Sequence, residues 1–227
     1  MFPRGNNKAL VFYHFFPRIV FLLTGLFFFA LGVVTAIKAN IGYAPWSVFH
    51  VGLANTIGLT LGVTSILVGV VIVIIVAALK EKLGLGTIMN MIVIGLFIDM
   101  ISPFIPRANN FITGILMLFA GIFSISVGTY FYMRAAFGAG PRDSLMVALA
   151  RKTKLPIGLC RGALELSVTT IGFFLGGMVG IGTIIFAVSI GFAIQMTFKL
   201  FRFDPKTIRH ETLRDTYAAL KSIGLVR

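Results

Sequence analysis

Residues 32–100 of this 227-residue chain can be laid on residues 128–196 at a constant offset of 96 with no gap. Gly32 then falls on Gly128, Gly42 on Gly138, Pro45 on Pro141, Gly62 on Gly158 and Gly95 on Gly191. The run Gly84-Leu85-Gly86-Thr87-Ile88 falls on Gly180-Ile181-Gly182-Thr183-Ile184. In a chain that is 58% hydrophobic, coincidences of Leu or Val carry little information. Glycine and proline recurring in one register carry much more, and the pattern reads as an internal repeat. Each copy breaks an apolar run at a Gly-x-x-Pro sequence, so the fold must accommodate the same interrupted helix twice.

The apolar runs are continuous rather than alternating, and most have the length of about 20 residues that a membrane helix needs. The sequence therefore predicts an all-α polytopic membrane protein. Spans are expected over 17–37, 60–79, 86–105, 111–133, 156–178 and 181–201, with Pro103 and Pro106 ending the third. The segments 42–58 and 141–153 are shorter and suit re-entrant or interfacial helices, with Pro45 and Pro141 in the first turn. Each repeat would hold three spans and one short helix, and an odd span number inverts the second repeat relative to the first. The basic residues agree with this arrangement. Lys80, Lys82, the 134–154 stretch and the tail fall on the cytoplasmic side with both termini, while Lys38 and Arg107 fall outside. The chain divides into a cytoplasmic lead (1–16), a first membrane repeat (17–105), a second (106–203) and a basic amphipathic cytoplasmic tail (204–227). In the tail, Asp204-Pro205 reads as a helix start. Ile208, Leu213, Tyr217 and Leu220 share a face among Arg209, Arg214 and Lys221, as in a helix lying on a membrane surface.

Composition excludes several functions. The net charge of +13 is accounted for by the positive-inside rule and anionic lipid rather than by nucleic acid. The single Cys160 rules out an internal disulfide or a cysteine metal cluster, and no His/Cys/carboxylate spacing suits a metal. No phosphate-binding loop is present, and no cofactor is implied. The lipid bilayer is the expected partner, with a small-molecule substrate. A homo-oligomer is compatible with the sequence, and no protein partner is identified by it.

A charge at the bilayer centre costs about 2.5–3.5 kcal/mol even on insertion scales, so charged residues within the spans are candidate functional groups. Arg161 and Glu165 lie four apart on one helix face. They read either as a substrate clamp facing a cavity or as a self-neutralising pair that fixes packing. Arg142 and Asp143 stand in the first turn of the second short helix, where unpaired N–H groups favour an anion. Asp143 either caps that turn or pairs with Arg161, leaving Arg142 for a carboxylate or phosphate. Their counterparts in the first repeat are Trp46 and Ser47, so a shared cavity would take a ligand with an apolar and a charged part. By residue type alone, Trp46, Tyr43 and the many Phe residues read mostly as lipid-facing or interfacial anchors. Asp99 is a candidate ion or proton site, Gly42, Pro45, Gly138 and Pro141 are candidate hinges, and Gly172 with Gly176 reads as a close helix contact. No catalytic residue is assigned: Ser47 and His50 share a helix but lack a third orienting group.

The segments 39–47 and 138–144, with Arg161, Glu165 and Gly180-Ile181-Gly182-Thr183 downstream, resemble the YczE/YyaS/YitT family of bacterial integral membrane proteins. The resemblance is nearest the YczE-like branch, and nothing here resembles the soluble C-terminal domain of many YitT-like members. It implies a protein of the bacterial cytoplasmic (inner) membrane. Inverted repeats with broken helices recur in secondary transporters, so the expectation is a transporter or exporter of a small metabolite. The alternative is a non-transporting accessory protein that acts on a partner through its tail.

Overall fold

The structure, a computed structural model, describes residues 8–208 and 210–222. Among these, nine α-helices run in order: α1 (Lys8–Lys38), α2 (Pro45–Ile57), α3 (Leu61–Ala78), α4 (Leu85–Ile101), α5 (Phe111–Arg134), α6 (Pro141–Thr153), α7 (Ile157–Phe174), α8 (Ile181–Leu200) and α9 (Leu213–Ser222). Six of them, α1, α3, α4, α5, α7 and α8, are long and apolar enough to cross a membrane. Their outward faces carry exposed Ile74, Phe123, Leu166, Val188 and Phe192, as lipid-facing surface requires. The chain is a membrane protein.

The central contact is between α1 and α5. Leu22, Leu26, Ala30 and Val34 recur every fourth residue on α1 and are almost wholly buried. A neighbouring stripe places Gly25 against Gly128 and Gly32 against Gly121, so the two helices run antiparallel. A Cβ on Gly32 would fall 2.5 Å from the Gly121 carbonyl oxygen. Lipid supplies no hydrophobic drive between helices, so this close backbone approach is what holds the pair. Ser124 adds a hydrogen bond to the Phe28 carbonyl at 2.7 Å.

Around this pair the two halves exchange contacts. In the first break, the Ile41 carbonyl accepts from Gly182 N–H at 2.8 Å. In the second, the Phe137 carbonyl accepts from Gly86 N–H at 2.7 Å. Each bond joins the break of one half to the start of a helix in the other, and 96 residues relate both partners. Thr87 and Thr183 each accept from the N–H of the glycine three residues before, at 3.2 Å, closing the first turns of α4 and α8. Thus the repeated Gly-x-Gly-Thr runs are helix starts that clasp the opposite break. Gly42 and Gly138 both adopt φ +119°, and a Cβ on Gly42 would lie 2.7–2.9 Å from Gly180 backbone. The left-handed positions Asn40, Gly58 and Lys80 likewise recur at Ala136, Lys154 and Gly176. Helix α2 packs on α7 while α3 packs on α6, the same exchange again.

Several boundaries differ from the sequence expectation. Helix α1 begins before Pro17, which lies inside it; membrane helices tolerate such a proline where the freed carbonyl finds other partners. Helix α4 ends at Ile101 in a 3₁₀ turn over Ser102–Phe104, since Pro103 lacks the donor to continue. Helix α7 stops at Phe174, and Gly176 (φ +89°) turns the chain back. Nothing lies within 4 Å of its Cβ position, so only Gly172, set against Phe49 backbone, is the close contact expected of that pair. Asp204-Pro205 opens only a 3₁₀ turn (Pro205–Thr207), and the tail helix starts at Leu213. Leu213 and Tyr217 on α9 are exposed while Thr216 is buried. Arg209 and the Leu220 side chain lie outside the described residues.

Gly42→Ala and Gly138→Ala should each lower stability by about 2 kcal/mol, because both the left-handed backbone and the missing Cβ are required. Thermal unfolding in detergent would register the loss, and Gly58→Ala, whose Cβ meets nothing within 4 Å, should show the backbone share alone.

Candidate functional site

A cavity of about 180 Å³ lies between the two halves. Every second-half residue on its wall has its first-half counterpart, 96 positions earlier, on the wall too. Of the first half, Val68 and Ile72 alone lack such a partner there. The pairs include Ala44 with Gly140, Pro45 with Pro141, Trp46 with Arg142, Ser47 with Asp143, Ser65 with Arg161, Gly69 with Glu165 and Ile94 with Ile190. The wall is symmetric in position and asymmetric in chemistry.

The N-terminal turns of α2 and α6 both face this cavity. Ala44 and Gly140 are their N-caps, neither turn has a side-chain cap, and proline occupies the first helical position of each. Asp143 therefore does not cap α6 as the sequence allowed; its carboxylate accepts from the Tyr132 hydroxyl at 3.1 Å. Nor does it pair with Arg161, whose Nε donates to Glu165 at 2.8 Å. The sequence placed this i,i+4 pair correctly. The structure adds that the Arg161 side chain is 44% exposed, on the loosely covered α7 side of the cavity. Arg142 reaches across to the first half: its guanidinium lies 4.7 Å from the Trp46 ring centre and 3.4 Å from His50 Nδ1. Trp46 is accordingly not a lipid-facing anchor. It is 8% exposed, and its indole N–H has no hydrogen-bond partner among the described residues. Ser47 and His50 line the same wall, and His50 faces Arg142.

Asp99 lies elsewhere. It accepts from the Thr60 hydroxyl at 2.5 Å and from Gly62 N–H at 2.7 Å, tying α4 to the first turn of α3. It satisfies a helix start from a neighbouring helix, as an N-cap does from its own.

The second break, the loop before α4 and the tail meet at one end of the bundle. Arg18 makes an ion pair with Glu211 at 2.6 Å, donates to the Ala135 carbonyl at 3.0 Å and lies over Phe137. The Glu211 and Leu213 N–H groups bond to the Ala136 and Leu83 carbonyls. Arg151 pairs with Glu81 at 2.9 Å at this same end. Sequence spacing could not find the Arg18–Glu211 contact, because its partners stand 193 positions apart. His210 is half-buried beside Glu211. Burial pushes its imidazole below the ordinary value of 6.5, and the Asp143 carboxylate opposes this more weakly.

The docked tail thus favours neutral His210. The free imidazole binds its proton more readily, so docking is fully favoured above about pH 6.5 and weakens as pH falls below it. Hydrogen exchange over residues 210–222 should rise as pH is lowered through the histidine range, after correction for intrinsic rates. His210→Gln should flatten that dependence, and Glu211→Gln should raise exchange at every pH.

The chain matches, over residues 16–199, a family of unknown function, DUF6198. A Haemophilus influenzae protein is 35% identical over 180 residues, covering 79% of this chain and 83% of that protein. The Bacillus subtilis membrane protein YczE is 33% identical over 182 residues, 79% of this chain and 85% of YczE. YyaS of the same organism is 27% identical over 166 residues, 71% of this chain and 82% of YyaS. No solved structure matches the chain. The resemblance read from the broken repeats is borne out, and the chain belongs to the DUF6198 family, among the YczE-like membrane proteins.

Proposed function

We propose that the protein is a small secondary transporter or exporter of a metabolite, built from two inverted repeats in the bacterial cytoplasmic membrane with both termini cytoplasmic. The observation that carries this reading is the cavity wall, whose second-half residues all have wall-lining counterparts in the first half. A site on the axis between two antiparallel halves is where alternating access places a substrate, because rocking one half against the other exposes it to each side in turn. The antiparallel α1–α5 crossing and the exchanged break contacts support the inversion. The collection of Arg18, Arg134, Arg151 and the 80–82 loop at the tail end, away from Lys38 and Arg107, supports the orientation. Arg142, Asp143, Arg161, Glu165, Trp46 and Ser47 form the polar centre. No bond-making step is assigned, and Ser47 and His50 act as wall residues.

One observation favours the accessory role instead: Leu213 and Tyr217 stay exposed on the tail helix. In that role the tail would recruit a partner and the cavity would be incidental.

In a Cys160→Ser background, single cysteines at Lys82 and Arg107 should react with an impermeant maleimide from opposite sides of the membrane. Labelling of both from one side would sink the inverted topology. Proteoliposomes should accumulate a metabolite, and Glu165→Gln with Arg161→Gln should slow uptake at least tenfold. Loss of cellular function on deleting residues 213–227, with uptake intact, would favour the accessory role.

A further inference from the structure

We propose that the central cavity binds a compact organic monoanion, a carboxylate with an apolar body about the size of a single ring. This specifies the substrate class, and any step after binding rests on the transporter reading. Three observations converge on it.

The first is a cation whose neighbouring carboxylates, Asp143 and Glu165, act on it through space and not in a salt bridge. Among the described residues, the cavity's two carboxylates are engaged, Glu165 by Arg161 and Asp143 by Tyr132. Arg142 makes no ion pair; it rests on the Trp46 ring and beside the His50 ring. Its planar donor fork thus has no anionic acceptor in contact among the described residues, and such a fork suits a carboxylate.

The second is a pair of open helix starts. Val48 N–H and Ser144 N–H are the first to bond back, to Ala44 and Gly140 at 2.9 Å each. The N–H groups of residues 46, 47, 142 and 143 have no partner within their own helices. Beside them the buried Trp46 indole N–H also has no partner among the described residues. The four cavity charges sum to zero, so the net field comes from two helix N-termini of about half a charge each. Together they match one negative charge, which selects a carboxylate over a phosphate dianion.

The third is size and lining. The cavity of about 180 Å³ is somewhat larger than the roughly 150 Å³ that accommodates benzene. Beyond the polar centre much of its wall is apolar, with Phe29, Ile94, Phe186 and Ile190, interrupted by polar side chains such as Asn90 and Thr129. A second cavity at the opposite end from the tail is lined by Lys38 and Arg107 and by no carboxylate, a surface that attracts anions.

The test is calorimetric titration of the purified full-length protein in lipid nanodiscs, with empty nanodiscs subtracted. Benzoate, benzylamine, benzyl alcohol and inorganic phosphate are the probes. Benzoate should bind at least tenfold more tightly than the other three. Arg142→Gln should weaken it at least tenfold, Arg142→Lys less, and Trp46→Phe a few-fold, with thermal unfolding of each variant reporting that the fold is retained. Equal or tighter binding of benzylamine, benzyl alcohol or phosphate overturns the proposal. So does the absence of benzoate binding, or benzoate binding by a folded Arg142→Gln protein as strong as wild type. Binding of benzoate without protein-dependent counterflow of labelled benzoate in proteoliposomes sustains the proposal and removes the transporter reading. Transport of other solutes without benzoate binding does the reverse.

Discussion

The structure depends on how the breaks that follow α1 and α5 are satisfied at the ends of the bundle. Each break leaves backbone carbonyls with no donor of their own helix. Here the donors come from the opposite half: Gly86 N–H meets Phe137, and Gly182 N–H meets Ile41. Helix starts have spare N–H groups, so each half supplies what the other lacks. Neither half can satisfy its break alone. This explains why glycine stands at 42, 84, 138 and 180, where backbones touch and a Cβ would intrude.

The same exchange positions the cavity. Once the breaks are clasped, the first turns of α2 and α6 are drawn to the interface between halves, and their walls inherit the repeat's register. Chemistry then comes from substitution on a symmetric frame. Trp46 against Arg142, Ser47 against Asp143, and Ser65 and Gly69 against Arg161 and Glu165 put the charges on one side. The opposite side offers an aromatic face and neutral acceptors. Arg142 is therefore held without a salt bridge: it stacks on the residue that occupies its own position in the other half, and Asp143 and Glu165 balance its charge through space.

Much of this was legible in the residues. Glycine and proline in register located both breaks and both short helices, since those residue types answer backbone requirements that recur with the fold. The Arg161–Glu165 pair followed from helical spacing alone. Other features depend on which elements pack together. Trp46 reads as an interfacial anchor in isolation, and only the approach of α6 turns it inward beneath Arg142. Asp143 sits where a local cap would, yet the Tyr132 hydroxyl from α5 takes its carboxylate. Asp99 reads as an unpaired acid until the start of α3 is seen to need it. The tail's anchor was invisible because Arg18 looks like an ordinary flank of the first span.

Three charged groups illustrate three ways of holding a charge in this protein. Arg161 and Glu165 neutralise each other within one helix, so they need no ligand and lose little when one leaves. Arg18 and Glu211 sit at the bundle end, where their ion pair ties the tail over the second break; releasing it would free both Ala135 and Phe137 from Arg18. Arg142 touches the neutral Trp46 and His50 rings, with Asp143 and Glu165 acting through space, and its donor fork stays open to an anion. On the transporter reading proposed above, that division serves release as well as binding. A site fully paired within itself would have no affinity, and one with every charge unpaired would hold its ligand too tightly to release it. One arginine left open beside one closed pair lies between those limits.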